Sequence, residues 1–178
     1  MIAELGQAAL ILAFVVALLQ AGLGFAGVAV RDPVFHRFAR AGAMAQFVLV
    51  ASAFACLTAL FVVSDFSVLV VAQNSHTLKP FLYKLSGVWG NHEGSMLLWA
   101  LILTAYTGAL SLLARHVAPR LITLTFSVQS LITAAFLAFL IFTSNPFARL
   151  FPVPLDGADL NPLLQDPGLA SHPPMLYA

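Results

Sequence analysis

Charge is what this sequence has least of. Asp, Glu, Lys and Arg make up 8% of its 178 residues, against roughly 25% in an ordinary soluble domain. So little polar material cannot cover a water-facing surface, and a free-standing soluble domain is excluded. Neither sign dominates. Eight Lys and Arg meet seven Asp and Glu, a formal net charge of +1, which argues against nucleic acid as a partner. Cysteine occurs once, at Cys56, so the chain has no internal disulfide framework and no CxxC redox or metal pair. What fills the composition is apolar: 61% of the residues are hydrophobic and the mean hydropathy is +0.95. That excludes disorder as well, because there is ample apolar surface to bury. The class is an integral membrane protein.

A membrane-spanning helix needs about 20 mostly apolar residues, rising about 1.5 Å each through about 30 Å of hydrocarbon. Four segments, about 5–30, 41–64, 95–114 and 121–143, meet that length. Backbone groups in lipid must bond within their own segment, so such runs are predicted as helices. Barrel strands would alternate over about ten residues, and these do not. The expected fold is all-α, a polytopic transmembrane helical bundle of about four spans. The first run is a retained anchor rather than a signal peptide: Glu4 is its only early charge and its arginines follow it.

Lys and Arg gather on the cytoplasmic side of span ends. Arg31, Arg37 and Arg40 lie between the first two spans, and Arg115 and Arg120 between the last two. The other side holds Lys79, Lys84 and Arg149, diluted by Asp65, Asp156, Asp159 and Asp166. The N-terminus and the tail 144–178 are therefore expected to face outward, into the periplasm of a Gram-negative bacterium. Outside the spans, the segment 65–94 includes Phe66–Ala72, which either continues a helix or lies along the interface. The tail holds Pro146, Pro152, Pro154, Pro162, Pro167, Pro173 and Pro174. Proline fixes φ and removes a donor, so an ordered loop is expected there, leading into a truncated next helix opened by Pro173-Pro174.

Two stretches concentrate the chemistry. Trp89-Gly-Asn-His-Glu-Gly-Ser95 precedes the third span, and Trp99 follows on the same helix. One reading is an interfacial cap, with Trp89 anchoring, Asn91 capping and Glu93 favoured by the helix dipole. The other is functional: a His92–Glu93 pair that binds a cofactor, relays protons or orients a partner. The second stretch, His172-Pro-Pro-Met-Leu-Tyr177, sets an imidazole at or just before an expected helix start. An unpaired imidazole there suits axial ligation of haem iron, although a solvated capping histidine is the commoner case. His36 and His116 are expected at the surface of the basic loops, with a small chance of a role for His76. Cys56 reads as packing, as do Gly22, Gly24, Gly27, Ala21 and Ala26. Gln46 and Gln129 are polar residues within the spans; no metal cluster, nucleophile–base pair or phosphate loop is present.

The stretch Trp89–Trp99, the stretch Asp156-Gly-Ala-Asp-Leu-Asn-Pro-Leu-Leu-Gln-Asp166 and His172–Tyr177 together resemble the cytochrome c biogenesis family CcmF. The resemblance runs the length of the chain and corresponds to the N-terminal part of a longer family; the paralogue NrfE shares much of the pattern. It implies a subunit of the bacterial inner-membrane haem lyase, which attaches haem covalently to apocytochrome c. It also implies haem (b-type, as substrate) delivered by the haem chaperone CcmE, and CcmH and CcmI as partners. His172 would be a haem axial ligand, with Trp89, His92, Glu93 and Trp99 at the haem cavity or a docking surface. No catalytic residue is implied. The family's second periplasmic histidine, tryptophan-rich loop and intramembrane histidines have no counterpart here, which implies no activity for the chain alone. The competing classes are a transporter or haem-exporter fragment, which would want mid-span charge, and a structural scaffold of a split lyase.

Overall fold

The computed structural model describes residues 1–30, 33–114, 116–159 and 166–177. Arg31, Arg115 and the middle of the Asp156–Asp166 stretch lie outside the described residues. The elements in order are α1 (Ile2–Val30), α2 (Pro33–Val63), α3 (Leu69–Asn74), α4 (Phe81–Gly87), α5 (His92–Leu113), α6 (Pro119–Phe142) and α7 (Pro167–Tyr177). The protein is an all-α bundle, and α1, α2, α5 and α6 are long and apolar enough to cross a membrane. Each helix overruns the apolar stretch that marks it. α2 does so most: Pro33, with its preset φ and missing donor, starts the helix early. The connection expected to be a loop therefore becomes the basic first two turns of α2, carrying His36, Arg37 and Arg40.

Lipid tails are as apolar as leucine, so helices in a bilayer gain little from burying hydrocarbon and associate through close packing and hydrogen bonds. α1 shows how. Its buried residues are Ala3, Gly6, Leu10, Ala13, Ala17, Gln20, Gly24 and Gly27, with Ala21 beside them. Successive members are three, then four, residues apart. This is the seam of a left-handed helix pairing, and most of it is small. A Cβ on Gly24 would lie 2.0 Å from Ser127 Oγ, and one on Gly27 would lie 2.2 Å from Phe35 Cβ. Gly22, expected to do the same, has nothing within 4 Å and faces outward.

Polar side chains complete the contact. Gln20 and Gln46 are buried between α1, α2 and α6. Gln46 Nε2 donates to Gln20 Oε1 at 2.7 Å and to Ser130 Oγ at 2.9 Å. Gln20 Nε2 donates to the Ala39 carbonyl at 3.0 Å. Such interhelical bonds average about 0.6 kcal/mol and hold register more than they add stability.

The two ends of the bundle differ. At one end the N-terminus of α1, the connection 65–91 and the tail 144–159 interlock. Phe66–Ala72 neither prolongs α2 nor lies flat: Val68, Val70, Val71 and Ala72 are buried beneath the tail. Leu69 N–H donates to the Ala148 carbonyl and Leu150 N–H to the Ser67 carbonyl, each at 2.9 Å. Phe147 plugs the top of α1, where a Cβ on Gly6 would come within 2.3 Å of its ring. Arg149 pairs with Glu4 and bonds Ser67, with Asp65 at 3.8 Å. The opposite end holds the described arginines Arg37, Arg40 and Arg120. Arg40 bonds the carbonyls of Ser111 and Ala114 at the end of α5.

Candidate functional site

The interlocked end carries the residues singled out in the sequence. Trp89–Ser95 folds as a tight entry into α5. Asn91, extended at φ −137° and ψ 167°, is the N-cap and accepts from Gly94 N–H at 2.7 Å. Its amide nitrogen donates to the Gly87 carbonyl at 2.8 Å, closing the turn from α4. Ser95 Oγ donates to the Trp89 carbonyl at 2.6 Å. At Gly94 a Cβ would sit 1.6 Å from the Val88 carbonyl oxygen, so only glycine fits. The capping half of the sequence reading is thus realised. Trp89 is half-buried against the core.

His92 and Glu93 open α5. The His92 ring lies edge-on to Phe139 with centroids 5.8 Å apart, and its Nδ1 is 3.2 Å from Ser144 Oγ. Glu93, half-buried in the first turn, has no hydrogen bond or ion pair to a described residue and sits where the dipole favours its charge. His92 is held by Phe139 and Ser144, and Glu93 shares neither contact, so the two neighbours do not converge on one site.

α7 begins at Pro167, earlier than the sequence predicts. Asp166-Pro167 supplies a capping residue type and a proline at the first helical position. His172 therefore lies mid-helix, not at a start. Pro173 and Pro174 fall two turns in, where each omits the N–H that would bond the carbonyl of Leu169 or Ala170. His172 is exposed and makes no hydrogen bond or ion pair with a described residue.

Two apolar grooves flank α7. One, of about 350 Å³, is lined by Pro80, Leu82, Tyr83 and Trp89 with Pro167 and Ser171 of α7. The other, of about 320 Å³, is lined by Trp99, Ile102, Leu103, Tyr106 and Phe136 with Leu176 of α7. Trp99 stands edge-on to Phe136 with centroids 5.7 Å apart. His172 and Leu176 are one turn apart on one side of α7. Of the predicted residues, Trp89 and Trp99 each line one groove beside α7, the helix that carries His172, while His172, His92 and Glu93 line neither groove.

The tail is latched to the α3–α4 connection. Asp156 accepts from Thr77 N–H at 3.0 Å and Thr77 Oγ1 at 2.8 Å, and His76 Nε2 lies 3.2 Å from its other oxygen. Burial pushes the Asp156 carboxyl up, but these donors outweigh it and hold it below its ordinary value. Lys79 donates to the Asn74 carbonyl at 3.0 Å and pairs with Asp159 at 3.2 Å; burial pulls its ammonium below the ordinary lysine value against that pairing.

Sequence reasoning missed three polar roles. Gln20 is not singled out by composition as Gln46 is. His36, expected at the surface, is half-buried with Nδ1 2.5 Å from Thr123 Oγ1. Arg40 caps a helix rather than facing water. A polar residue recurring on the small-residue seam of α1 was the available signal for Gln20. Among the described residues no group of histidine, cysteine and carboxylate side chains could hold a metal ion.

The family described as cytochrome C assembly protein matches residues 89–178. The cytochrome c-type biogenesis protein ccl1 of Rhodobacter capsulatus is 54% identical over 177 residues, covering 99% of this chain and 27% of that protein. CcmF of Pseudomonas aeruginosa is 52% identical over 178 residues, with 99% and 27% covered. The probable cytochrome c-type biogenesis protein NrfE of Escherichia coli is 48% identical over 153 residues, with 86% and 28% covered. The solved structure of the cytochrome c haem lyase CcmF superposes with a TM-score of 0.86 at 30% identity, over 99% of this chain and 28% of that one. This chain therefore spans little more than a quarter of the length of the relatives it matches, and it belongs to the cytochrome c assembly protein family.

Proposed function

We propose that the chain is the haem-holding N-terminal part of a cytochrome c haem lyase, with His172 as an axial ligand to the substrate haem. One observation carries this: His172 is an exposed imidazole without a described partner, on a helix bordered by two apolar grooves. Haem brings an iron that takes a neutral imidazole axially and two vinyl groups that become thioethers. The seating of α7 on α4 and α5 fixes where the imidazole stands. Trp99, Tyr106 and Phe136 give the apolar edge of a porphyrin a dry aromatic wall on the side of α7 that bears His172 and Leu176. Trp89 and Tyr83 brace the other side. His92 and Glu93 serve a docking surface at the head of α5.

The thiols come from apocytochrome c, since this chain's Cys56 is half-buried within α2. CcmE hands on the haem, and CcmH and CcmI take part in presenting the apocytochrome. The interlocked end faces the periplasm of a bacterial inner membrane; the arginines of the opposite end support that orientation. The test is a pyridine haemochrome assay of the haem-incubated, purified chain and its His172→Ala variant. Haem retention lost in the variant, with helical content unchanged, is the expected result. Equal haem in both would remove the assignment.

A further inference from the structure

The arginine end contains a cleft that the haem reading does not use. It is about 280 Å³ and is lined by Gly27 and Val28 of α1, His36 of α2, and Pro119 and Arg120 of α6. Three features converge there. Arg120 is exposed at the cleft and pairs with no described residue. His36 is held by its Nδ1 against Thr123 Oγ1, which orients the ring and leaves Nε2 without a described partner. α6 starts at Pro119 behind Ala118, which gives no side-chain cap, so the positive end of a 24-residue helix opens at the same place. Below Arg120, Leu121, Leu124 and Val128 form an outward apolar stripe at helical spacing, 58%, 40% and 46% exposed. A cationic head above a greasy stripe matches one ligand shape.

We propose that this cleft binds the phosphate of an anionic phospholipid, whose acyl chain lies along Leu121, Leu124 and Val128. Arg120 and His36 Nε2 donate to the phosphate. Charge complementarity selects the ligand: apart from Asp32, the two connections at this end carry only basic charge, from Arg31, Arg37, Arg40, Arg115 and Arg120. The bound lipid ties α1, α2 and α6 together where the polar contacts of Gln20 and Gln46 give out. It requires only an anionic leaflet at this end, and it is independent of His172.

Native mass spectrometry of the detergent-purified chain tests this with cardiolipin, phosphatidylglycerol, phosphatidylcholine and inorganic phosphate as probes. Retention of the two anionic lipids but not of phosphatidylcholine is expected. A basic side chain at an anionic membrane surface is worth about fivefold in affinity. Arg120→Gln should lose that much, and His36→Phe should weaken binding as well. Arg37→Gln removes the same charge outside the cleft and should lose clearly less than Arg120→Gln. Arg120 is exposed, so its variant keeps the fold even if His36→Phe does not. Equal losses for Arg37→Gln and Arg120→Gln would mean diffuse attraction and overturn the site. Phosphate displacing the lipids at equal concentration would overturn the acyl-chain half, making it a free-anion site.

Discussion

Arg40 of α2 reaches across the bundle to the end of α5, where its guanidinium donates to the Ser111 carbonyl at 2.6 Å. Its second nitrogen bonds the Ala114 carbonyl at 2.8 Å. The last carbonyls of a helix have no partner within it, and a cation there also meets the negative end of the dipole. Charged hydrogen bonds are worth roughly 1.5–3 kcal/mol when partly buried. Arg40→Met should therefore cost about that much and fray the last turn of α5. Thermal unfolding in detergent and hydrogen exchange at residues 110–113 measure it; unchanged exchange there would show that the cap contributes nothing.

Glycine at 94 is demanded by one oxygen. A methyl at that position would overlap the Val88 carbonyl at 1.6 Å, so the Asn91 cap and the turn from α4 cannot both survive Gly94→Ala. A loss on the order of 2–4 kcal/mol is expected, the size seen when packing must break. Gly22→Ala is the matched control, since nothing lies within 4 Å of the added atom. Equal melting shifts for the two would contradict the close approach.

Gln46→Leu removes both bonds that Gln46 Nε2 gives, to Gln20 and to Ser130. At about 0.6 kcal/mol per interhelical bond the loss is about 1 kcal/mol. The larger effect should be on specificity. Cysteine pairs placed across α1 and α2 should cross-link in one register in the parent and in several in the variant.

The Asp156 latch should open in acid. Its carboxyl is held below its ordinary value, so its contribution is complete above the unfolded pKa of about 3.9 and disappears as pH falls through the lower folded value. The Thr77 amide donates to Asp156, and its protection, the exchange rate relative to the intrinsic rate at the same pH, should be full at pH 6 and fall as pH drops below the ordinary carboxylate pKa of about 3.9. Asp156→Asn should lack that protection at both pH values. Protection that rises on acidification would refute the latch.

Much of the scaffold could be read in advance because one requirement, about 20 apolar residues per crossing, dominates everything else in a membrane. That same dominance hides the finer features. Pro33 starts α2 early through local backbone geometry, which hydropathy does not register. Gln20 is as apolar in its surroundings as any neighbour on α1, and only the three-and-four spacing of the small residues reveals its side. At the candidate site, Asn91 followed by Gly94 was legible as a cap from residue chemistry alone. The position of His172 was not, because Asp166-Pro167 and Pro173-Pro174 both advertise a helix start and tertiary contact with α4 and α5 decided between them.

The three-and-four alternation along α1 has a consequence for how this helix tolerates change in length. Each residue advances the face by about 100°. A single inserted residue between Ala13 and Ala17 would therefore turn everything beyond it, carrying Gly24 away from Ser127 and presenting Leu23 in its place. An insertion of seven would restore the phase. α1 thus behaves as a ruler with a fixed tooth spacing: additions that come close to whole turns, such as seven or eleven residues, keep its teeth in line, and additions of one or two jam it.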